Sequence, residues 1–263
     1  MLYIMAFNYE EVGIPIALLV DDNKKAKNWT TLYLAEEKLL KNVDTPLKEV
    51  KLIKESQHFQ PIPNKNTERS INYVTGSSGS GKSHWSKKYI EEYHRIYPKR
   101  EVYIFSALKD DKTLDKLKYL KRIKLEGSFI TDEIDVGIFK DSMLIFDDTD
   151  TIDNKIIRHK VYSILGQVLQ TGRHFNISCI YTSHLATDKN NTKLILAETH
   201  TVTIFPTGLG GRSIKYLLEQ YFGLDRIAIQ KIKKLKSRWV TIYKSYPMCV
   251  VSEKDAYILN AED

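Results

Sequence analysis

The stretch GSSGSGKSHW at residues 76–85 matches the pattern G-x-x-x-x-G-K-[ST], a loop that binds phosphate groups. Glycine stands where such a loop bends tightly and turns its N–H groups inward, because glycine adopts positive φ without steric cost. Lys82 is placed to reach the β and γ phosphates, and the Ser83 hydroxyl to bind Mg²⁺. The pattern predicts a site for ATP and Mg²⁺, formed by Gly76, Ser77, Ser78, Gly79, Ser80, Gly81, Lys82 and Ser83.

The flanks of this stretch have the strand and helix that a phosphate-binding loop requires. The run INYVT at 71–75 is rich in β-forming residues. After the loop, apolar residues recur at spacings of three to five, which places one apolar stripe on a helix: Trp85, Tyr89, Ile90, Tyr93 and Ile96. The N-terminal end of that helix would direct its positive dipole at the phosphates.

Further apolar runs follow the loop at regular intervals. Strand-like runs lie at 71–75, 102–106, 143–147, 177–182 and 201–205, and most are separated by helix-like segments. This alternation predicts an α/β fold, a P-loop NTPase domain with a mostly parallel sheet and helices on both faces.

Two consecutive acids end the strand-like run MLIFDD at 143–148. In an open α/β sheet the carboxyl ends of the strands carry the ligand site. Asp147 is therefore predicted to hold Mg²⁺, and Asp148, on the other side of the strand, to act as base for the water that attacks the γ-phosphate. The alternative is an acidic turn that caps the next helix.

Two more positions are candidates for a role in catalysis. Ser183 and His184 directly follow the run ISCIYT at 177–182 and are predicted to sense the γ-phosphate, although they also fit the start of a surface loop. Arg173 follows a helix that ends at Gly172; it is either a cation at that helix end or an arginine supplied to a neighbouring subunit's nucleotide. Arg212 competes for the second role.

The bulk composition is typical of a folded globular protein, with 42% hydrophobic and 28% charged residues among 263. No apolar run is long enough to span a bilayer, so we expect no membrane span and an intracellular protein. Cys179 and Cys249 lie in apolar runs, which predicts two buried, reduced thiols and neither a disulfide framework nor a zinc site.

An excess of Lys and Arg gives a net charge of +7, which favours contact with polyanions. The basic residues crowd into two runs, at 109–124 and 231–238. Either run is explained by a solvated helix face or by a nucleic-acid surface.

The two ends of the chain lack the regular alternation of strand-like and helix-like segments that its middle shows. Residues 1–60 are predicted to form an N-terminal extension or small lobe, residues 60–70 a polar linker, and residues 61–263 the ATPase domain. The segments RWVTIYKS and MCVVS around Pro247 predict a C-terminal β addition, such as a hairpin.

Residues 57–206 resemble the genome-packaging ATPases of poxviruses, other large nucleocytoplasmic DNA viruses and their virophages, a branch of the FtsK/HerA superfamily. The resemblance is carried by GSSGSGKS, by MLIFDD and most specifically by GRHFNISCIYTSH at 172–184. It implies a RecA-like domain that works as a pentameric or hexameric ring, threads double-stranded DNA into a capsid at a portal vertex, and acts in the host cytoplasm at the virus factory and in the virion.

By the same resemblance, Lys82 and Ser83 bind phosphate and Mg²⁺, Asp147 binds the metal, Asp148 is the base and Arg173 acts in trans. Cellular relatives often have Glu as the second acid and Gln at the sensor position, where this chain has Asp148 and Ser183-His184. A nucleotide-switched virion assembly factor and a phosphotransferase acting on a small acceptor are the alternative functions.

Overall fold

The computed structural model describes residues 5–41, 43, 46–67, 69–188, 192–207, 210–245 and 247–259. The chain divides into two compact units. The core unit is Thr67–Val202, and the flanking unit combines Met1–Asn66 with Thr203–Asp263. The predicted division of the chain at residues 60 and 61 remains a prediction.

The described residues form fourteen strands and six α-helices. The strands are β1 (Met5–Asn8), β2 (Ile14–Asp21), β3 (Thr30–Glu36), β4 (Glu49–Lys51), β5 (Gln57–Pro61), β6 (Ile71–Thr75), β7 (Glu101–Ser106), β8 (Leu120–Arg122), β9 (Ser142–Asp147), β10 (Ser178–Ser183), β11 (Thr201–Ile204), β12 (Val240–Tyr243), β13 (Cys249–Ser252) and β14 (Asp255–Ile258). The helices are α1 (Lys82–Ile96), α2 (Ser128–Thr131), α3 (Lys155–Thr171), α4 (Thr192–Glu198), α5 (Gly211–Tyr216) and α6 (Arg226–Lys234).

A parallel sheet forms the centre of the core unit. Its strands lie in the order β8, β7, β9, β10, β6, and all four neighbouring pairs are parallel. Every residue of β6, β9 and β10 is buried, as expected of central parallel strands covered on both faces. The predicted α/β fold with a mostly parallel sheet is confirmed.

Strand order decides which residues meet at the carboxyl edge of this sheet. β10 lies between β6, which leads into the phosphate-binding loop, and β9, which ends in Asp147. The register pairs Ser183 with Thr75 on one side and Tyr181 with Phe146 on the other. The end of β10 therefore stands between the loop and the acids.

Helix α1 buries most of the apolar stripe that the sequence predicts, with Ile96 half-buried, and α3 also has a buried apolar face. In α1 the buried apolar residues are Trp85, Tyr89, Ile90 and Tyr93, and in α3 they are Val161, Ile164, Leu165, Val168 and Leu169. The cap of α3 is Asn154, whose Oδ1 accepts the N–H groups of Ile156 and Ile157. The acidic turn at 147–150 therefore does not cap this helix.

The flanking unit is built from antiparallel strands. β1, β3, β2 and β5 pair in that order, and β12, β13, β14 and β4 in theirs. The predicted hairpin around Pro247 is confirmed, because β12 pairs with β13 from Val240 opposite Ser252 to Tyr243 opposite Cys249. The predicted linker starts too early, since Gln60 and Pro61 belong to β5, where they lie opposite Leu18 and Ala17 of β2.

Both cysteines are buried free thiols, as predicted. Burial raises the pKa of Cys179 and of Cys249 to about 12. Among the described residues, no helix combines the length and the apolar character needed to cross a membrane.

Candidate nucleotide site

The phosphate-binding loop connects β6 to α1 at the carboxyl edge of the core unit's sheet. Gly79 and Gly81 have φ values of 72° and 115°, in the region that favours glycine. A Cβ on Gly79 would meet no atom within 4 Å, so the positive φ rather than crowding requires glycine there. Gly76 differs from the expectation: its φ is not positive, and it extends β6 by donating its N–H to the Ser183 carbonyl at 3.1 Å.

Lys82, the first residue of α1, has a buried side chain that is 6% exposed. Its Nζ donates to the carbonyl oxygens of Gly76 at 2.9 Å and Ser77 at 3.5 Å. The same Nζ lies 3.6 Å from Asp148 Oδ1 and 3.2 Å from His184 Nδ1. The loop thus surrounds a positive charge that is paired with the second acid.

The two acids differ in backbone and in burial. Asp147 ends β9 and is 3% exposed, whereas the Asp148 side chain is 18% exposed. Asp148 has φ 44° and ψ 41°, the left-handed conformation. The expectation that strand alternation directs Asp148 to the other face is wrong, because Asp148 lies outside the strand and its direction is determined by this turn.

The end of β10 holds both acids together. The Thr182 hydroxyl lies 2.9 Å from Asp147 Oδ1 and 3.2 Å from Asp148 Oδ1, and its oxygen accepts the Asp148 N–H at 3.0 Å. His184 Nε2 lies 3.0 Å from Asp148 Oδ2. His184 therefore bridges Lys82 and Asp148 through its two ring nitrogens.

Ser183 is 2% exposed and ends β10, so it is not part of a surface loop. Its hydroxyl donates to Asp150 Oδ2 at 3.5 Å and accepts the Leu185 N–H at 3.2 Å. Burial, followed by the Asp148 carboxylate, raises the pKa of Asp150. Ser183 thus contacts the acidic turn through its side chain and the phosphate-binding loop through its carbonyl.

Three polar residues of this site were not predicted from the sequence. They are Thr182, Asp150 and Ser106, whose hydroxyl donates to Asp147 Oδ2 at 3.5 Å. Ser106 ends β7 and is paired in register with Asp147. The rule that ligand sites lie at the carboxyl ends of parallel strands could have found Ser106 and Thr182, since each stands at the end of an apolar run.

Arg173 is not brought to this site within its own chain. It lies exposed in a turn, Gly172–Phe175, between α3 and the beginning of β10. The site stands at the other end of β10, and a six-residue strand spans roughly 17 Å. Arg212, in α5, belongs to the flanking unit.

The residues at this edge fit a magnesium-bound triphosphate. Ser80 Oγ is a buried atom without a hydrogen-bond partner among the described residues, as is Asp150 Oδ1. Such atoms are costly unless a ligand or water satisfies them. The described part of the chain has no cluster of three His, Cys, Asp or Glu side chains suited to a metal ion. A Mg²⁺ here would need Ser83, Asp147 and oxygen ligands from the nucleotide.

Burial, and then the Asp148 carboxylate, raises the pKa of Asp147 from 3.8 to about 6. At pH values between these two pKa values, the Asp147 carboxyl is protonated in the folded protein and ionised in the unfolded chain. The stability of the folded protein therefore falls as the pH rises through this window. At pH 7.5 the ionised carboxylate costs about 3 kcal/mol of folding free energy, since one pKa unit corresponds to about 1.4 kcal/mol.

We therefore expect Asp147→Asn to raise the melting temperature of the nucleotide-free protein at pH 7.5, by several degrees. At pH 4 the difference should nearly vanish, because the wild-type carboxyl is then largely protonated in the folded state. Thermal melts at both pH values measure this, with the exposed Asp110→Asn as the matched control. An Asn variant that melts at or below the wild-type temperature at pH 7.5 would contradict it.

Comparison with known proteins gives a relative by sequence and solved structures with a similar fold. No protein-family profile matches the chain. The uncharacterized protein V3 of Sputnik virophage is 41% identical over 203 residues, which cover 76% of this chain and 81% of V3.

Among solved structures, the genome packaging NTPase B204 of Sulfolobus turreted icosahedral virus 2, in complex with AMPPCP, superposes with a TM-score of 0.50 at 15% identity, covering 74% of this chain and 100% of B204. The cytoplasmic domain of the Thermomonospora curvata type VII secretion ATPase EccC has a TM-score of 0.49 at 9% identity and covers 79% of this chain and 28% of EccC. The similarity to B204 shows a shared fold.

Proposed function

Because this chain belongs to the same family as protein V3 of Sputnik virophage and has the fold of the packaging NTPase B204, we propose that it is an ATPase whose hydrolysis drives viral double-stranded DNA into a capsid. ATPase activity is supported above all by one observation: Lys82, Asp147 and Asp148 lie together at one edge of the parallel sheet. A cation beside two acids, below a glycine loop at a helix N-terminus, suits a magnesium-bound triphosphate.

ATP binding is assigned to the loop from Gly76 to Ser83. Lys82 supplies a full positive charge to the β and γ phosphates, and the loop N–H groups and the start of α1 bind phosphate oxygens. Ser83 and Asp147 would hold Mg²⁺, which neutralises phosphate charge when it is bound with the nucleotide. The serines and glycines keep the loop small enough for close approach.

Hydrolysis is assigned to Asp148 as the group that takes the proton of the attacking water. In this structure Asp148 Oδ1 lies 3.6 Å from Lys82 Nζ, and its Oδ2 lies 3.0 Å from His184. A triphosphate that draws Lys82 towards its own oxygens would weaken the first contact and expose Oδ1 to water. His184, in contact with both groups, is the proposed sensor of the γ-phosphate, together with Ser183.

We also propose that ATP hydrolysis is coupled to the movement of double-stranded DNA. Coupling to DNA is supported by the net charge of +7 and by the fold that the chain shares with B204, a genome packaging NTPase. We propose a ring of five or six subunits, with ATP bound at subunit interfaces and Arg173 supplied in trans. This role is supported by the exposure of Arg173 and by its position beyond the far end of β10, away from the nucleotide site of its own chain. The ring would work at the capsid vertex in the infected cell's cytoplasm.

We expect double-stranded DNA to raise the ATPase rate of the purified protein several-fold at low salt. The measurement is phosphate release with and without a duplex, as salt is increased. DNA-independent turnover would leave an ATPase without the proposed coupling. Tight ATP binding without turnover would favour the nucleotide-switched assembly factor, and hydrolysis that requires a small acceptor would favour the phosphotransferase.

Some basic side chains of the two runs already form ion pairs, ring contacts or hydrogen bonds within the protein, and others do not. Lys231 pairs with Glu49 at 3.6 Å and stacks over the Tyr257 ring at 4.0 Å, and Lys233 donates to the Gly211 carbonyl at 3.2 Å. In the other run Lys112, Lys116 and Lys118 are exposed. In the same run Lys121 pairs with Glu101 at 2.8 Å and Arg122 with Asp115 at 2.7 Å. We propose that Lys112, Lys116 and Lys118 contribute more to DNA binding than Lys231 and Lys233, because they are exposed and form no ion pair with the described residues.

Replacing Lys112, Lys116 and Lys118 together by Gln should weaken duplex binding and lower the slope of log K against log salt by about one unit per lost phosphate contact. The matched control replaces Lys231, Lys233 and Lys234 by Gln and should change the slope less. Fluorescence anisotropy of a labelled duplex at several salt concentrations measures both. An unchanged slope in the first variant would assign that run to a solvated face.

A further inference from the structure

Thr182 occupies the position where the two halves of the site meet. It is completely buried, at 0% exposure, one residue before the end of β10. Because β10 lies between β6 and β9, the next residues contact the phosphate-binding loop: the Ser183 carbonyl accepts the Gly76 N–H at 3.1 Å, and His184 lies 3.2 Å from Lys82 Nζ.

The Thr182 hydroxyl has a single proton and two carboxylates within reach. Asp147 Oδ1 lies at 2.9 Å and Asp148 Oδ1 at 3.2 Å. Only one of the two can accept this proton at a time. The hydroxyl therefore links the orientation of the acid assigned to the metal with that of the acid assigned to the water.

The same oxygen also stabilises the unusual backbone of Asp148. It accepts the Asp148 N–H at 3.0 Å, and Asp148 has φ 44°. Residues other than glycine are uncommon in this conformation, and aspartate adopts it where local hydrogen bonds hold it, as the Thr182 oxygen does here. Thr182 thus acts on Asp148 both through its backbone and through its carboxylate.

We propose that Thr182 is a positioning residue for hydrolysis: its hydroxyl fixes Asp148 in the left-handed turn and holds both carboxylates in the arrangement that lets Asp148 take a proton from the water that attacks the γ-phosphate. This inference rests on the proposed ATPase function. Thr182 has no contact with the phosphate-binding loop among its hydrogen bonds to the described residues, so its removal should affect the chemical step and spare ATP binding.

The test uses Thr182→Val, which keeps the shape and loses the hydroxyl, and Thr182→Ser, which keeps the hydroxyl. We expect Val to lower kcat on the order of 10–100-fold, as is usual when a group that orients a functional side chain is removed. The ATP Kd, measured by calorimetry, should stay within about 3-fold of wild type, because binding and chemistry are separable when only positioning is lost. Ser should restore kcat.

A second measurement is independent of turnover. Hydrogen exchange of the nucleotide-free protein, followed in a peptide that contains Asp148, should be faster in the Val variant and normal in the Ser variant. Ser178→Ala is the matched control, since Ser178 is a buried hydroxyl at the other end of β10 that accepts the Ser70 N–H at 3.2 Å. This control should leave kcat and the exchange at Asp148 unchanged. Should Val fail to fold, Thr182→Ala replaces it.

The outcomes separate this inference from the proposed function. A wild-type protein without ATPase activity refutes the proposed function itself. An active wild type with normal kcat in a folded Val or Ala variant overturns the role of Thr182, as does a Ser variant as slow as Val. Equal losses of ATP affinity and of kcat also overturn it, since they would indicate general damage to the site.

Discussion

Lys82→Ala is expected to abolish measurable ATP binding. The ammonium group of Lys82 is buried within the loop, where it binds the Gly76 and Ser77 carbonyls, and no other residue of the GSSGSGKS stretch has a positive charge. Loss of a charge-assisted contact to two phosphates should weaken the Kd at least 100-fold, which corresponds to about 2.7 kcal/mol. ATPase activity should disappear with binding.

The measurement for Lys82→Ala is the rise in melting temperature that ATP and Mg²⁺ produce, supported by calorimetry. A ligand that binds only the folded state stabilises it by RT ln(1 + [L]/Kd), so the variant should show no rise at concentrations that shift the wild type. Lys87→Ala is the matched control, because Lys87 is also on α1 and pairs with Glu91 at 3.5 Å. A wild-type shift in the Lys82 variant would refute the assignment of the loop.

Asp148→Asn is expected to bind ATP and fail to hydrolyse it. The amide keeps the size and shape of the side chain but cannot take a proton from water. Asparagine tolerates the left-handed conformation as well as aspartate does, so the turn at φ 44° should remain intact. We expect kcat to fall roughly 10²–10⁴-fold, the usual contribution of a general base, with little change in the ATP Kd.

Single-turnover experiments should find intact ATP bound to the Asp148→Asn variant. The exposed Asp153→Asn, five residues further along the same acidic segment, is the control and should turn over normally. Normal turnover in the Asp148 variant would show that another group activates the water. The pair Asp148→Asn and Thr182→Val should not have additive effects, because both act on the same carboxylate.

The backbone of Asp148 supplies a physical reason for aspartate, rather than glutamate, as the second acid. Aspartate and asparagine are enriched among non-glycine residues with positive φ, because their short polar side chains bond locally. A second acid in a left-handed turn beside Thr182 favours aspartate.

Much of the nucleotide site could be predicted from the sequence because its signals are local. The phosphate-binding loop needs glycine, lysine and serine at fixed spacings. The strand before it is visible as a run of β-forming residues, and the helix after it as an apolar stripe at helical spacing. Strand-like runs separated by helices indicate a parallel sheet, and in such a sheet the runs that end in Asp147 and Ser183 reach the same edge. None of these steps requires knowledge of which strands are neighbours.

Strand order, register and backbone turns could not be read from these patterns, because they depend on contacts between residues far apart in the chain. The tertiary structure places β10 between β6 and β9, which brings Thr182 to both acids and His184 to Lys82. It also places Asp148 in a left-handed turn just after β9, and Arg173 beyond the other end of β10. The sequence by itself determined which residues are candidates to bind a triphosphate, since that depends on local chemistry; only the long-range pairing of the strands decided which side chains contact those candidates.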